Sequence, residues 1–420
     1  MRKIIYTILI NISFSTFLYG QISMDINDAS YEKNNDYAYS MGNGISFNFD
    51  DSVHIFRIGG MAQFRVLNTM PDDTLSSPSN YIGIKRSYFS LSGQLNSGLF
   101  SFLIQTDFSE SFPLLDAWVG YHPHQNLSFY FGQKMTPCNN YSMQFMEYDL
   151  QFASRNNLSN TFSRLGREFG VFIESRFKAG NIGVKPIVSI TSGDGSNSFG
   201  ENSQDSDQGG FKYGGRLNVY PMGFFSSGSE FVAHDVEREQ KPKLMIGGAS
   251  SLNIGASHIV GEGHYNEELN SDGTFILVDA TNGENRLPNY LKNNVDILFK
   301  YKGFNLLAEY VNTAAYNIKG TTLDTTQISE KLVLGSAYNI QLGYLFKGDI
   351  SMDFKYGQSF KEFQFNNNSL LGNYDSMGIG LTKYFSNRAV KAQLMARYLN
   401  FYENTNLNQL NLECLLQLRF

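Results

Sequence analysis

Apolar and polar side chains alternate one by one through segment after segment of this chain. In residues 350–356 the apolar set is Ile350, Met352, Phe354 and Tyr356, and the residues between them are polar or charged. The same pattern recurs in residues 99–108 and 295–301. A period of two is that of a β-strand whose two faces meet different surroundings. The chain is therefore predicted to be all-β, with a membrane barrel and a soluble sandwich both still open.

The connections between these segments favour the barrel. Sixteen alternating segments lie between residues 52 and 420, and an even number is what a closed bacterial barrel requires. Short turns lie at residues 96–98, 179–181, 302–303, 347–349 and 386–387. Long polar connections lie between them at residues 136–166, 192–210, 256–292 and 312–331. This pattern predicts a closed 16-stranded antiparallel transmembrane β-barrel with short periplasmic turns and long extracellular loops. Residues 221–243 are long for a short-turn position, and residues 275–278 are assigned to a loop.

The N-terminus has the pattern of a secretory signal peptide. Arg2 and Lys3 precede an apolar run over residues 4–19, and the small Gly20 follows. We expect a cleaved signal peptide at residues 1–20, an N-terminal periplasmic extension at 21–51 and the barrel at 52–420, with an inward-folded loop at 136–166. Two cysteines among 420 residues exclude a disulfide framework, and a net charge of −6 argues against nucleic acid as a partner.

The C-terminus carries the most specific local pattern. Residues 407–420 alternate and end on Phe420, with an apolar face made of Leu410, Leu412, Cys414, Leu416, Leu418 and Phe420. This arrangement resembles the last-strand signal of bacterial outer-membrane barrels. It predicts that the protein lies in the outer membrane and contacts its lipid.

A series of short motifs resembles one family of such barrels. The motifs are K-R at residues 85–86, G-x-L at 93–95, D-A-W-V-G-Y at 116–121, G-Q-x-x-x-P at 132–137, F-M-E-x-x-L at 145–150, R-x-x-G-V at 167–171 and P-K-L-x-I-G at 242–247. In this order and spacing they resemble the phosphate-selective porin O/P family, from about residue 52 to the C-terminus. The resemblance implies a homotrimeric porin that passes small anions, phosphate or polyphosphate, with residues 136–166 as the constriction loop. Two positions depart from the family pattern, because Lys85 stands for an arginine and Lys134 follows Gln133 directly.

Charged residues are expected to line the interior if the apolar face meets lipid. The expected inward bases are Arg57, Arg65, Arg86, Lys134, Arg176, Lys212, Arg216, Lys300, Lys355, Lys391 and Arg397. The expected inward acids are Asp107, Asp116, Glu168, Glu174, Asp296, Glu309, Asp353 and Glu413. Rings of basic side chains attract anions into a narrow pore. The candidate anion path is Arg57, Arg65, Arg86, Lys134, Arg155, Arg164 and Arg167. The alternative is that these bases pair with the inward acids and serve only the barrel wall.

Other functions find less support in the sequence. His122 and His124 lie in a Pro-containing turn without a third metal ligand nearby, and Ser257-His258 has no surrounding catalytic pattern. We therefore expect no enzyme activity and no cofactor. Two alternatives to the anion porin stay open. One is a non-conducting barrel that acts as a structural or docking subunit, and the other is a porin for acidic sugars or other small nutrients.

Overall fold

The protein is a closed antiparallel β-barrel, as the sequence predicts. The computed structural model describes residues 37–49, 52–73, 76–164, 166–197, 210–256, 262–263, 277–321, 323–385 and 388–420. The predicted signal peptide and the predicted turn at residues 386–387 lie outside this part of the chain. None of the helices within it is long and apolar enough to cross a membrane.

Sixteen strands form the barrel wall, and one of them is interrupted. The first eight are β3 (His54–Pro71), β4 (Ser79–Leu95), β5 (Phe100–Asp107), β6 (Leu114–His124), β7 (Leu127–Met135), the pair β8 (Arg167–Ser175) and β9 (Phe177–Ala179), β10 (Ile182–Thr191) and β11 (Lys212–Tyr220). The other eight are β12 (Lys243–Asn253), β15 (Asn289–Tyr301), β16 (Phe304–Tyr316), β17 (Gly335–Leu345), β18 (Ile350–Lys361), β19 (Tyr374–Phe385), β20 (Val390–Phe401) and β21 (Gln409–Arg419). Both β8 and β9 pair with β10, so together they count as one strand of the wall.

The barrel closes where its first and last strands meet. Strand β21 pairs antiparallel with β3, from Arg419 opposite Met61 to Gln409 opposite Pro71. At the end of this seam the backbone N–H of Gly60 donates to the Phe420 carbonyl at 2.8 Å, and the Phe420 N–H donates back at 3.0 Å. The terminal Phe420 therefore completes the seam.

Within the described residues, four short strands and two short α-helices lie outside the sixteen-stranded wall. Residues 37–49 of the predicted extension form a hairpin, β1 (Tyr37–Ser40) and β2 (Gly44–Phe49), and β2 pairs with the first residues of β3. In the long connection before β15, Leu277–Val278 (β13) pairs with Asn285–Arg286 (β14) in a separate two-stranded sheet. The predicted strand count is unaffected, because these residues belong to a loop. The helices are Asn157–Phe162 and Thr325–Ile328.

Candidate pore

The pleat of each strand decides which side chains enter the barrel. In β15, Val295 is 52% exposed on the outer face, whereas Asp296 and Lys300 on the inner face are fully buried. Further predicted inward residues that are buried are Lys212, Arg216, Lys355, Lys391, Asp107, Asp116, Glu168, Glu309, Asp353 and Glu413. The apolar face is therefore the outer face, and the charged groups of the inner face are buried by other parts of the chain.

One covering segment is the β7–β8 connection, residues 136–166, here termed the constriction loop. It contains two short 3₁₀ turns, Tyr141–Gln144 and Glu147–Asp149, and the helix Asn157–Phe162. The Asn156 side chain caps that helix by accepting a hydrogen bond from the backbone N–H of Ser159 at 2.7 Å. These turns give the loop a fixed shape inside the barrel.

The wall formed by β16 and β17 anchors the constriction loop near both of its ends. The Glu309 carboxylate accepts hydrogen bonds from the side-chain amides of Asn140 at 2.7 Å, Asn156 at 2.9 Å and Asn339 at 2.9 Å, and from the backbone N–H of Ser142 at 2.7 Å. Four donors satisfy one buried carboxylate, which makes this wall a firm attachment point.

The middle of the loop is bonded to β17 as well, and also to β18 and β4. Gln151 donates to the Leu342 carbonyl at 2.6 Å and to Asp353 Oδ1 at 2.8 Å. Arg86 on β4 donates to the carbonyl of Ala153 at 3.3 Å. The loop is thus hydrogen-bonded to β4 as well as to β16–β18, and it crosses the interior between them.

A second segment enters the barrel from the periplasmic rim. It is the β11–β12 connection, residues 221–242, here termed the periplasmic insert. The buried Lys300 ammonium holds it by donating to the carbonyls of Ser229 at 2.7 Å, Val232 at 2.6 Å and His234 at 2.8 Å. The Asp235 carboxylate accepts from the backbone N–H of Gly303 at 2.7 Å. This connection is longer than a tight turn because it folds into the barrel interior before the chain enters β12.

The two segments share an apolar core inside the barrel. Its members are Tyr141, Phe145 and Leu150 from the constriction loop, Phe225 and Ala233 from the periplasmic insert, and the inward wall residues Tyr220, Met245, Leu298 and Leu307. The backbone N–H of Ala233 donates to the Asp149 carbonyl at 3.1 Å. The side of the interior that faces β11–β19 is therefore filled by protein.

In contrast to the filled side, the interior along β3–β7 contains an open space at the periplasmic end. A cavity of about 520 Å³ lies there, between the inward faces of these five strands and the turn at Gly98. Above it, at mid-height, the inward residues Gln63, Gln105, Asp116 and Gln133 are each at most 5% exposed. Along β3–β7 the described interior is thus packed at the level of these four residues, with the cavity below them.

Three of the seven candidate path residues lie on β3 and β4. Among the described residues, none of these three has a carboxylate that pairs closely with it alone. Arg57 is exposed and has no hydrogen-bond or ion-pair partner among the described residues. Arg65 lies 3.9 Å from Glu413, which Lys85 contacts more closely at 2.5 Å. Arg86 donates to Gln63 Oε1 at 2.8 Å in addition to its loop contact.

The other four candidates have different surroundings. Lys134 pairs with Glu174, and Arg167 is buried against Asp116 at 2.7 Å. Arg155 lies within the constriction loop and donates to the carbonyls of Ser142 at 2.6 Å and Phe145 at 2.9 Å and to Glu147 at 2.7 Å, while Arg164 is exposed on the loop. The seven residues therefore do not form one continuous row of free cations.

Sequence reasoning did not identify the periplasmic insert as an interior element. The signals were its excess length and three apolar inward residues, Met245, Leu298 and Leu307, at positions where the alternation requires polar ones. Met245 lies opposite Leu298, and Leu298 lies opposite Leu307, on neighbouring strands. Such a row of apolar side chains facing the interior requires an apolar partner there.

Comparisons with known proteins support the fold. No protein-family model and no curated protein sequence matches the chain. The outer membrane channel DcaP of Acinetobacter baumannii is 10% identical, with a TM-score of 0.53 over 90% of this chain and 100% of that chain. A trimer form of OmpT, an outer membrane protein of Vibrio cholerae, is 11% identical, with a TM-score of 0.50 over 87% of this chain and 99% of that chain. The fold is that of the β-barrels of these outer membrane proteins.

Proposed function

We propose that the protein is an outer-membrane porin that lets small solutes diffuse passively, with a preference for anions. The observation that carries the proposal is the constriction loop, which crosses the interior and is hydrogen-bonded to walls on both sides. A loop held in this way sets the width of a pore instead of leaving it to the barrel diameter. Diffusion needs neither covalent chemistry nor a cofactor.

The preference for anions rests on the cations of β3 and β4. Arg57 and Arg86 have no carboxylate within ion-pair distance among the described residues, and Glu413 is shared between Arg65 and Lys85. Guanidinium groups present a planar fork that matches two oxygens of phosphate or carboxylate. We propose phosphate and polyphosphate among the permeant anions, as the sequence resemblance implies. A homotrimer belongs to the same proposal, and the OmpT structure cited above is a trimer form.

Conductance of the refolded protein in a planar bilayer tests this function. The reversal potential under a salt gradient is expected to show anion preference in the wild type. That preference is expected to fall when Arg57, Arg65 and Arg86 are all replaced by alanine. The matched control replaces Lys241, Lys319 and Lys347 by alanine, which removes the same charge from exposed connections. Unchanged selectivity in the first variant would refute the anion path.

A second candidate function is a barrel that does not conduct and serves as a docking or structural subunit. The observation in its favour is the buried state of the mid-height residues Gln63, Gln105 and Gln133, together with the periplasmic insert that fills much of the lower interior. A correctly folded protein that is silent in the bilayer under all salts would favour this candidate over the porin.

A further inference from the structure

The cavity under the constriction loop has the composition of a binding site. Its walls are the inward faces of β3–β7, on the side that the periplasmic insert leaves uncovered, and its volume is about 520 Å³. The chain has one tryptophan, Trp118, and this side chain lines the cavity together with Tyr130 and His122. Arg57, Gln94 and Ser92 supply polar groups to the same space.

The aromatic side of the cavity is fixed before any ligand binds. The Trp118 and Tyr130 rings meet edge to face with centroids 5.1 Å apart, and the His122 ring meets Tyr130 at 5.6 Å. The two ring nitrogens of His122 are hydrogen-bonded to Ser101 Oγ at 2.7 Å and Ser128 Oγ at 2.8 Å. A rigid aromatic surface of this kind binds a flat, partly apolar ring face at a low entropic cost.

The polar groups of the cavity are open to a ligand, since the Arg57 and Gln94 side chains are exposed. Within the described part of the chain, the Arg57 guanidinium, the Trp118 indole N–H and the Gln94 amide have no hydrogen-bond partner, and no carboxylate lines the cavity. Arg57 can bind a carboxylate through two parallel hydrogen bonds. Gln94 and Ser92 can both donate to and accept from hydroxyl groups. The ligand that fits carries one negative charge, several hydroxyls and a ring with an apolar face.

We propose that this cavity binds acidic sugars, namely uronic acids and their short oligomers. The uronate carboxylate pairs with Arg57, the sugar ring packs on Trp118 and Tyr130, and its hydroxyls bond to Gln94 and Ser92. This inference rests on the proposed porin function for the route by which the sugar reaches the cavity. Binding itself requires only the folded barrel.

The single tryptophan makes the test direct. Digalacturonate is titrated into the refolded full-length protein in detergent while Trp118 fluorescence is recorded. A saturable change is expected for the wild type. Arg57→Gln is expected to weaken binding at least about tenfold, since a charge-assisted bidentate pair is lost. Arg57→Lys keeps the positive charge but loses the planar guanidinium. Its affinity for digalacturonate is expected to lie between those of the wild type and Arg57→Gln. Lactose, a neutral disaccharide, is expected to bind at least about tenfold more weakly than digalacturonate.

A matched control removes one positive charge at a site away from the cavity. Lys347→Gln changes an exposed lysine in the turn between β17 and β18 and is expected to leave the fluorescence titration unchanged. Circular dichroism confirms that each variant retains the strand content of the wild type. The proposal is refuted by an absence of saturable change, by equal binding of lactose, by an unaltered Arg57→Gln titration, or by competition from inorganic phosphate at equal concentration.

The fluorescence readout separates this proposal from the proposed function. Saturable binding by a protein that does not conduct would support the proposed sugar site and refute the proposed porin function. Anion-selective conductance without any fluorescence response would support the proposed porin function and refute the proposed sugar site.

Discussion

The Tyr141 hydroxyl donates a hydrogen bond to the backbone carbonyl of Glu230 at 3.1 Å. Tyr141 belongs to the constriction loop, which starts from the extracellular rim, and Glu230 belongs to the periplasmic insert, which starts from the opposite rim. The two rims are thus linked through the middle of the barrel. Loosening either segment is therefore expected to affect both the width of the pore and the stability of the fold.

Lys300 is the first position at which this link can be tested. Replacing it by methionine leaves the three carbonyls of the periplasmic insert without their donor, and an unsatisfied buried group costs about 1–3 kcal/mol. We expect Lys300→Met to unfold at lower urea concentration and to show a larger single-channel conductance. Lys302→Met is the control, because the exposed Lys302 ammonium lies over the Tyr301 ring and contacts no such carbonyl cage. Equal conductance in the two variants would contradict the role assigned to the insert.

Arg155 and Glu147 form a pair that shapes the constriction loop from within, and both side chains are 8% exposed. Breaking a buried ion pair from one side costs about 3–5 kcal/mol, because the remaining charge is left uncompensated. We expect Arg155→Met to lower the free energy of unfolding by an amount in this range. The double variant Arg155→Met with Glu147→Met is expected to recover a large part of it. Urea unfolding of both variants measures the coupling, and purely additive effects would show that the two residues act independently.

The pH dependence of the same pair follows from the pKa of Glu147. Burial alone would raise the pKa of this carboxyl, but the guanidinium groups of Arg155, Arg167 and Arg86 hold it well below its usual range. A lowered pKa in the folded state contributes stability that is complete above the unfolded value, about 4.3, and is lost as the pH falls below it. The stability difference between the wild type and Glu147→Gln is therefore expected to be constant from pH 8 to about 5.5 and to shrink below about pH 4. A difference that already shrinks between pH 8 and 6 would contradict this pKa.

Cys138 provides a chemical probe of how tightly the loop is packed. Its side chain is fully buried, with Sγ 3.8 Å from Ser189 Oγ, and burial raises the pKa of the thiol. In a Cys414→Ser background we expect no labelling by a water-soluble maleimide until the protein is unfolded in urea, because neither access nor thiolate is available. Thr405→Cys in the same background, at an exposed position, is the positive control. Rapid labelling of Cys138 in the folded barrel would mean that the loop opens.

Gly132 tests the backbone of the wall next to the loop. Its φ is +124°, and a Cβ atom there would lie 2.2 Å from the Ala117 carbonyl oxygen. Gly132→Ala is expected to destabilise the protein by about 1–3 kcal/mol or more, since both the conformation and the contact oppose a side chain. Gly248→Ala is the control, because the nearest atom to its Cβ would be 4.0 Å away. Equal melting temperatures of the two variants would contradict this reasoning.

The strands could be predicted because lipid on one face and a polar interior on the other leave a period of two in the sequence. The prediction was least accurate where that contrast ends. Strand β15 starts at Asn289 instead of residue 293, and β16 continues to Tyr316 instead of residue 311. There Asn293 and Asn312 lie opposite each other in register. Backbone pairing continues beyond the apolar belt, and side-chain alternation no longer marks it.

The interior was harder to predict, because its contacts join residues far apart in the chain. Lys300 contacts the carbonyl of Val232, and His234 contacts both Asp353 and Tyr384. A single charged residue on an inward face gives no information about which backbone carbonyl or carboxylate will meet it. The free or paired state of the candidate path residues was undetermined by the sequence for the same reason.

The seam between β3 and β21 has a consequence for the order of assembly. Gln63 and Gln417, which are hydrogen-bonded at 2.7 Å across this seam, are 354 positions apart in the chain. Contacts between residues so far apart in the chain form late, because the entropy cost of closing a long loop comes before the free energy that the contact contributes. Until β21 reaches β3, the facing edges of both strands stay unpaired, and an unpaired strand edge can pair with another chain. The pairing that closes the barrel therefore also removes the last edge at which the chain could aggregate.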